Sequence, residues 1–181
     1  MRLRTRLLLT LAGIAILLTL PALYGITQHY RLRDIVGVTR NRHAGANLAL
    51  GRLQARLADL DRAERVYIST FAPEARNQIE TALTNARVNL TNLAAFGYTE
   101  SAERVAVPLD SIEAETARIM ALIDSGRAED ATALFERVKP LFPAADAALN
   151  GLNEEIQGRS AADLRLAGEI SESASATTLI A

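Results

Sequence analysis

The side chains that could carry chemistry are few, and none of them forms a known catalytic or metal-binding pattern. The two histidines, His29 and His43, do not belong to an H-x-x-x-H or H-E-x-x-H motif. The chain has no cysteine, which excludes disulfide frameworks and thiolate metal sites. It also has no phosphate-binding glycine loop, no G-x-S-x-G nucleophile and no kinase signature. We therefore predict no catalytic residue, no metal and no cofactor in this chain.

The isolated titratable residues have structural interpretations. His43 falls on the apolar stripe of a predicted helix, so we interpret it as a buried, hydrogen-bonded histidine, with a pH sensor or ligand as the alternative. The acid pairs Glu113/Glu115 and Glu154/Glu155 are predicted to lie on solvated helix faces. A catalytic carboxylate dyad is the less favoured interpretation.

One pattern predicts ligand recognition: two arginines, Arg62 and Arg65, lie one helical turn apart. A planar guanidinium can bond both oxygens of a carboxylate, so this pair predicts an anion-binding site. The alternative is a pair of exposed surface charges beside Asp61 and Glu64. Nucleic acid is not an expected partner, because the net charge is −1 and acids and bases are interspersed.

The elements that would position these residues begin with an uncharged apolar stretch, Leu7 to Ile26. Its length matches the ~20 apolar residues that a membrane-crossing helix needs. The run is too long for a secretory signal and lacks an A-x-A cleavage site, which favours an uncleaved anchor over a signal peptide. Arg2, Arg4 and Arg6 precede it, so residues 1–6 are predicted to be a cytoplasmic tail, with the chain after the span outside.

The rest of the chain is predicted to be all-α, beginning with a helix from Thr27 to Phe71 that continues the membrane helix. Its apolar positions step three and four residues apart, as in a coiled coil or helical bundle. We expect it to end near Ala72-Pro73, because a proline disfavours helical geometry in the residue before it. The predicted inward-facing positions are Leu32, Val36, Thr39, His43, Ala46, Leu50, Leu53, Leu57, Leu60, Glu64, Tyr67 and Phe71.

Three further helices are predicted, over 74–96, from Thr99 or Ser101 to 125–126, and over 127–171. Gly97 is expected to end the second helix, and Thr99 or Ser101 to cap the third. Pro140 and Pro143 predict a kink or break in the fourth. The predicted apolar stripes of these three helices are Ile79, Leu83, Ala86, Leu90 and Leu93; Val105, Leu109, Ile112, Thr116, Ile119 and Ile123; and Ala131, Leu134, Val138, Leu141, Ala145, Leu149, Leu152, Ile156 and Ala167.

The helix lengths predict an antiparallel four-helix bundle with long, short, short and long members. The long helices would measure ~66 Å and the short ones ~36 Å, at 1.5 Å per residue, and short turns make neighbours antiparallel. This order returns Ser171 to the level of Thr27. We expect residues 172–181 to begin a second, truncated membrane helix, with a frayed C-terminus of a complete protein as the alternative.

A resemblance now emerges from this arrangement and from two segments, RLQARLADLDRAERVYI (Arg52–Ile68) and SGRAEDATALFERVKPLFPAADAALNGLNEEI (Ser125–Ile156). The chain resembles the N-terminal sensory region of bacterial transmembrane receptors, namely sensor histidine kinases and methyl-accepting chemotaxis proteins with four-helix-bundle input domains. The resemblance implies an extracytoplasmic sensory domain over residues 27–171, anchored in the bacterial inner membrane. It also implies a homodimer in which binding of a small molecule or protein, of unknown identity, shifts a helix.

Three alternatives remain beside the histidine-kinase input domain. One is the input domain of a chemotaxis receptor, another a singly anchored structural or interaction bundle, and the third a secreted soluble bundle. An anchored protein would keep its N-terminal residues, whereas a secreted bundle would begin near Ile26.

Overall fold

The computed structural model describes the backbone of residues 2–179 and the side chains of Thr19 and residues 37–170. Residues 2–179 contain helices and short connections and no strand, which confirms the predicted all-α class. The helices are α1 (Arg2–Thr70), α2 (Pro73–Ala95), α3 (Thr99–Asp124), α4 (Ala128–Val138) and α5 (Leu141–Leu179).

The backbone of α1 runs without a break from Arg2 to Thr70, so one helix includes both the predicted span and the first predicted helix after it. The side chains of the predicted span, Leu7–Ile26, lie outside the described residues apart from Thr19. Those of the predicted second span, residues 172–181, lie outside them as well. Within the part of the chain that the structure describes, no helix is long and apolar enough to cross a membrane.

The chain divides into two compact units. One consists of residues 1–41 and 159–181, and the other of residues 42–158. Within residues 42–158, α2 packs on α3 and α3 packs on α4. The buried side chains of this unit form one apolar cluster to which all five helices contribute, so the core lies among the faces that the three-and-four spacing selects.

The predicted stripes match this core closely. On α2 all five predicted positions are buried, and on α3 only Ile123 is less than fully buried. On α4 and α5 the stripe is buried from Ala131 to Ile156 except for half-buried Leu141. On α1, the predicted core positions between residues 42 and 70 are all buried. They are His43, Ala46, Leu50, Leu53, Leu57, Leu60, Glu64 and Tyr67.

Among the predicted core positions of the first helix whose side chains the structure describes, Phe71 alone is exposed, with 48% of its area accessible. Its φ angle is 55°, in the left-handed region that ends helices and that side chains other than glycine rarely adopt. The backbone therefore leaves the helix at Phe71 and carries the ring off the apolar stripe. The prediction of a buried Phe71 was wrong because α1 ends at Thr70, one residue before its predicted end.

The ends of the other helices follow local sequence signals with one exception. Gly97 and Gly126 take positive φ angles of 87° and 77° after α2 and α3, as expected for C-terminal glycines. The backbone breaks between α4 and α5 at 139–140, as Pro140 predicts. The predicted cap of α3 was wrong. The N-cap residue is Tyr98, whose side chain forms no capping hydrogen bond, and both Thr99 and Ser101 lie inside the helix.

Acidic side chains connect α3 to its neighbours, which corrects the prediction that the acid pairs only face solvent. Arg87 on α2 forms ion pairs with Asp110 and Glu113 on α3. Glu155 on α5 accepts a hydrogen bond from buried Ser101 on α3. Since the ion pairs are partly exposed, each contributes about 0–1 kcal/mol, and their main effect is to fix the register of the helices.

Candidate functional site

The structure places the predicted anion-binding arginines on the exposed side of α1. Arg65 is already paired with Asp61, one turn earlier, with 2.7 Å between its Nη2 and Asp61 Oδ2. Arg62 is exposed and has no hydrogen bond or ion pair with any residue that the structure describes. Neither arginine lines the groove that lies between α3 and α4. The anion-site hypothesis for Arg62 and Arg65 stays a prediction.

A groove lined by α3, α4 and α5 is a second candidate. It lies between the C-terminal half of α3, α4 and the first residue of α5, is open to solvent and has a volume of about 780 Å³. Small-molecule sites usually measure ~300–1,000 Å³ and are mostly apolar with a few polar groups. We call it the α3–α4 groove; it is lined by Ser111, Glu115, Arg118, Ala121, Leu122, Ser125, Leu134, Arg137 and Leu141.

The break between α4 and α5 shapes this groove. Pro140 has no amide hydrogen to bond the preceding turn, which favours a break at this position, and α4 ends at Val138. The apolar stripe that α4 and α5 share is interrupted there, and Leu141, the first residue after the break, is only half-buried. Together with Leu122 and Leu134 it provides apolar surface that borders the groove.

The charged lining of the groove is unevenly paired. Arg118 Nη1 lies 2.6 Å from Glu115 Oε1, so these two charges offset each other. Arg137 is exposed and forms no hydrogen bond or ion pair within the part of the chain that the structure describes. The hydroxyls of Ser111 and Ser125 donate to helix carbonyls of Val107 and Leu122. The donors left for a ligand are therefore guanidinium groups, and the groove carries one unpaired positive charge.

A second unusual feature is a carboxyl group in the core between α1 and α3. Glu64 is 1% exposed, accepts a hydrogen bond from Thr116 through Oε1, and has no partner for Oε2 among the described residues. Burial, opposed by the Thr116 hydrogen bond and assisted by the charge of Asp61, raises the pKa of Glu64 from 4.5 to about 7.

The geometry around Thr116 favours the protonated acid. The Thr116 hydroxyl has one proton but two acceptors, Glu64 Oε1 and the carbonyl oxygen of Ile112 at 2.7 Å. When Glu64 is protonated it can donate to Thr116 Oγ1, which leaves the Thr116 proton for Ile112. When Glu64 is ionised, the two acceptors compete for one proton.

His43 lies in the core as predicted. It is 7% exposed, and its Nδ1 lies 2.8 Å from the hydroxyl oxygen of Tyr98. Tyr98 is 1% exposed, and the guanidinium of Arg42 lies 6.0 Å from its ring centre. The interpretation of His43 as a hydrogen-bonded core histidine is confirmed, and the pair joins α1 to the residue that precedes α3.

The substitution Tyr98→Phe should lower the free energy of unfolding by about 1–3 kcal/mol, because it removes the hydroxyl from a buried hydrogen bond. Urea denaturation followed by circular dichroism measures this change. The double variant His43→Leu, Tyr98→Phe serves as the control. It removes both members of this hydrogen bond, and the departure of its effect from the sum of the two single changes measures their interaction. A Tyr98→Phe protein as stable as the wild type would contradict the assignment of this hydrogen bond.

Comparison with known proteins bears on this fold. No family model matches the chain, and no curated protein matches it. A solved structure described as the periplasmic sensor domain of a sensor histidine kinase is similar, with a TM-score of 0.61 and 15% sequence identity. The similarity covers 77% of this chain and 94% of that domain. The chain therefore has the helical fold of that sensor domain.

The sequence reasoning missed the α3–α4 groove and its arginines. Leu122 and Arg137 had not been singled out, and Leu134 and Leu141 had been assigned to a core stripe. The sequence did contain one signal: Pro140 interrupts an apolar stripe, and Arg137 lies next to that interruption. That signal could not be evaluated without knowing that α3 packs on α4.

Proposed function

We propose that this chain is the extracytoplasmic sensory module of a membrane signal-transduction receptor, and specifically of a sensor histidine kinase. The observation that carries the proposal is the fold similarity, which extends over 94% of a periplasmic sensor domain of such a kinase. The unbroken course of α1 from Arg2 to Thr70 supports it, since the helix that includes the apolar stretch also contributes to the core.

The proposed arrangement follows the predicted segments. Residues 1–6 form a cytoplasmic tail, residues 7–26 cross the bacterial inner membrane, and residues 27–171 form an antiparallel four-helix bundle on the periplasmic side. From residue 172 onward α5 enters the membrane again. Clustering of residues 1–41 with 159–181 in one compact unit supports a shared location for the beginning of α1 and the end of α5.

The proposed mechanism is a change in helix packing and not a catalysed reaction. Two bundles associate along their long helices, and a ligand bound to one packing more tightly than to the other shifts the equilibrium between them. A displacement of α5 by ~1–2 Å, as occurs in other helix-shift switches, carries the signal to the membrane. A differential affinity of about 5.5 kcal/mol is enough to move such an equilibrium almost completely.

Topology fusions in a bacterial host test the proposal. Alkaline phosphatase, which folds only outside the cytoplasm, should be active when fused after Gly158, and green fluorescent protein at the same site should be dark. Deleting residues 7–26 should reverse both results, which provides the matched control. Inactive phosphatase together with bright fluorescence, in the fusions that keep residues 7–26, would contradict an extracytoplasmic module.

Mass spectrometry of the same purified chain separates the anchored and secreted alternatives. An anchored module retains Arg2, Arg4 and Arg6 and stays in the membrane fraction. A mature N-terminus near Ile26 together with active phosphatase would instead identify a secreted soluble bundle. Either result is read from one preparation and does not depend on knowing the ligand.

A further inference from the structure

We propose that the α3–α4 groove binds a small organic anion that has one carboxylate and an apolar body, and that Arg137 is the residue that recognises the carboxylate. The inference rests on the proposed function, because it names the ligand class of the sensory module. It also replaces the exposed arginines of α1 with a different pair of residues, on a different face of the core.

The size and lining of the groove fit such a ligand. A volume of about 780 Å³ accommodates a molecule of several carbon atoms. Leu122, Leu134 and Leu141 present apolar surface, and only Leu134 is nearly covered by the protein itself, at 9% exposure. An apolar body in the groove would cover the exposed parts of the other two leucines.

The charges select an anion with one negative group. Arg118 pairs with Glu115 Oε1, and Glu115 Oε2 is buried without a hydrogen-bond partner among the described residues, so Arg137 gives the lining a net positive charge. Lys139, the nearest other cation along α4, is held by Glu136 and does not line the groove. Arg118 retains donors beyond the one directed at Glu115, because a guanidinium has five N–H groups. A carboxylate in the groove can therefore bond Arg137 fully and Arg118 in part.

Arg137 differs in one respect from the other exposed arginines of this unit. Arg52 and Arg62 also lack ion pairs within the described residues, but neither lines the α3–α4 groove. Arg76, Arg87, Arg104 and Arg127 are engaged by carboxylates. Arg137 combines an unpaired guanidinium with a position beside the leucines of this groove.

Calorimetric titration of the full chain in nanodiscs tests the inference, with empty nanodiscs as the blank for lipid partitioning. The probes are hexanoate, the neutral hexanamide, the cationic hexylammonium and inorganic phosphate. Hexanoate should bind, and the other three should bind much more weakly. Affinity should rise roughly fourfold for each methylene from butanoate to hexanoate, because each buried methylene contributes a constant increment.

Matched arginine variants locate the site. Arg137→Gln should weaken hexanoate binding roughly tenfold to a hundredfold, because it removes a charge-assisted hydrogen bond. Arg52→Gln, the same change on an exposed arginine away from the groove, should leave the affinity unchanged. Circular dichroism should show that both variants keep the wild-type helix content.

Three results would overturn the inference. One is no binding of hexanoate up to about 10 mM, the weak end of measurable affinity. Another is equal binding of phosphate and hexanoate, which would exclude an apolar site. The third is loss of binding in Arg62→Gln or Arg65→Gln but not in Arg137→Gln, which would place the anion on α1. If any of these occurs while the phosphatase fusion is active, the groove assignment fails and the sensory module remains; an inactive fusion rejects the module independently.

Discussion

Replacing Glu64 with glutamine should make the protein more stable at pH 8, by about 2–3 kcal/mol, and should change its stability little at pH 4.5. A buried carboxyl whose pKa lies at about 7 is mostly ionised at pH 8, where one of its oxygens has no hydrogen-bond partner. The glutamine side chain has nearly the same shape and removes the charge. Its additional amide hydrogen lacks an acceptor, which offsets part of the gain.

The direction of this pH dependence follows from linkage. Folding raises the pKa of Glu64 from 4.5 to about 7, so the folded state binds the proton more tightly than the unfolded chain. The stabilising effect of this proton is complete below pH 4.5 and is lost as the pH rises to about 7. At one pKa unit per 1.36 kcal/mol, the loss amounts to about 3 kcal/mol.

The measurement is urea denaturation at intervals between pH 4.5 and pH 8, with wild type and variant compared at each pH so that other titrating groups cancel. Glu103→Gln is the control, because Glu103 is exposed on α3 and its replacement should change the stability by less than about 0.5 kcal/mol. Glu64→Met removes every polar atom from the site and should also flatten the pH profile. Parallel pH profiles for wild type and Glu64→Gln would show that Glu64 titrates as an exposed acid does.

Leu109→Ala should lower the free energy of unfolding by about 3 kcal/mol. Leu109 is 0% exposed, and truncating a buried leucine costs about 2–5 kcal/mol, since the lost transfer energy and the cavity add. Domains of this size are stable by about 5–15 kcal/mol in total, so this one substitution removes a large share. Thermal and urea denaturation followed by circular dichroism measure the loss.

The control for this prediction is two residues away on the same helix. Val107 is 67% exposed, so Val107→Ala should change the stability by less than about 0.5 kcal/mol. Pro108 lies between the two positions, and the structure keeps α3 helical through it. Comparable losses at Val107 and Leu109 would mean that α3 does not present the face that the structure gives it.

The apolar spacing predicted many of the buried side chains of residues 42–158, although it included exposed Phe71 and left out buried Phe135 and Phe142. Steps of three and four residues place side chains on one face of any helix, whatever that face contacts. Leu53, Leu109 and Leu149 were therefore assigned to the core before their neighbours were known, and each is 0% exposed. Glu64 was assigned to the same stripe, although its chemistry made it an unexpected core residue.

Local backbone geometry explains the errors at helix ends. The exposure of Phe71 depends on where the helix stops, and a shift of one residue turns a side chain by about 100° around the helix axis. The start of α3 depends on the preceding Gly97 turn and not on a side-chain cap, so the cap residues that the sequence offered at 99 and 101 had no such role. Such choices differ by only about 1 kcal/mol, and tertiary contacts decide them.

By itself the sequence determined the all-α class, the approximate positions of the turns, many of the buried positions and the burial of His43, because each of these depends on residues close together along the chain. The tertiary structure decided which faces meet. It put Thr116 against Glu64, Tyr98 against His43 and Arg137 beside a groove bordered by three leucines. Glu64 and Thr116 are 52 positions apart and His43 and Tyr98 are 55 apart, and only the packing of one helix on another determines that such residues come into contact.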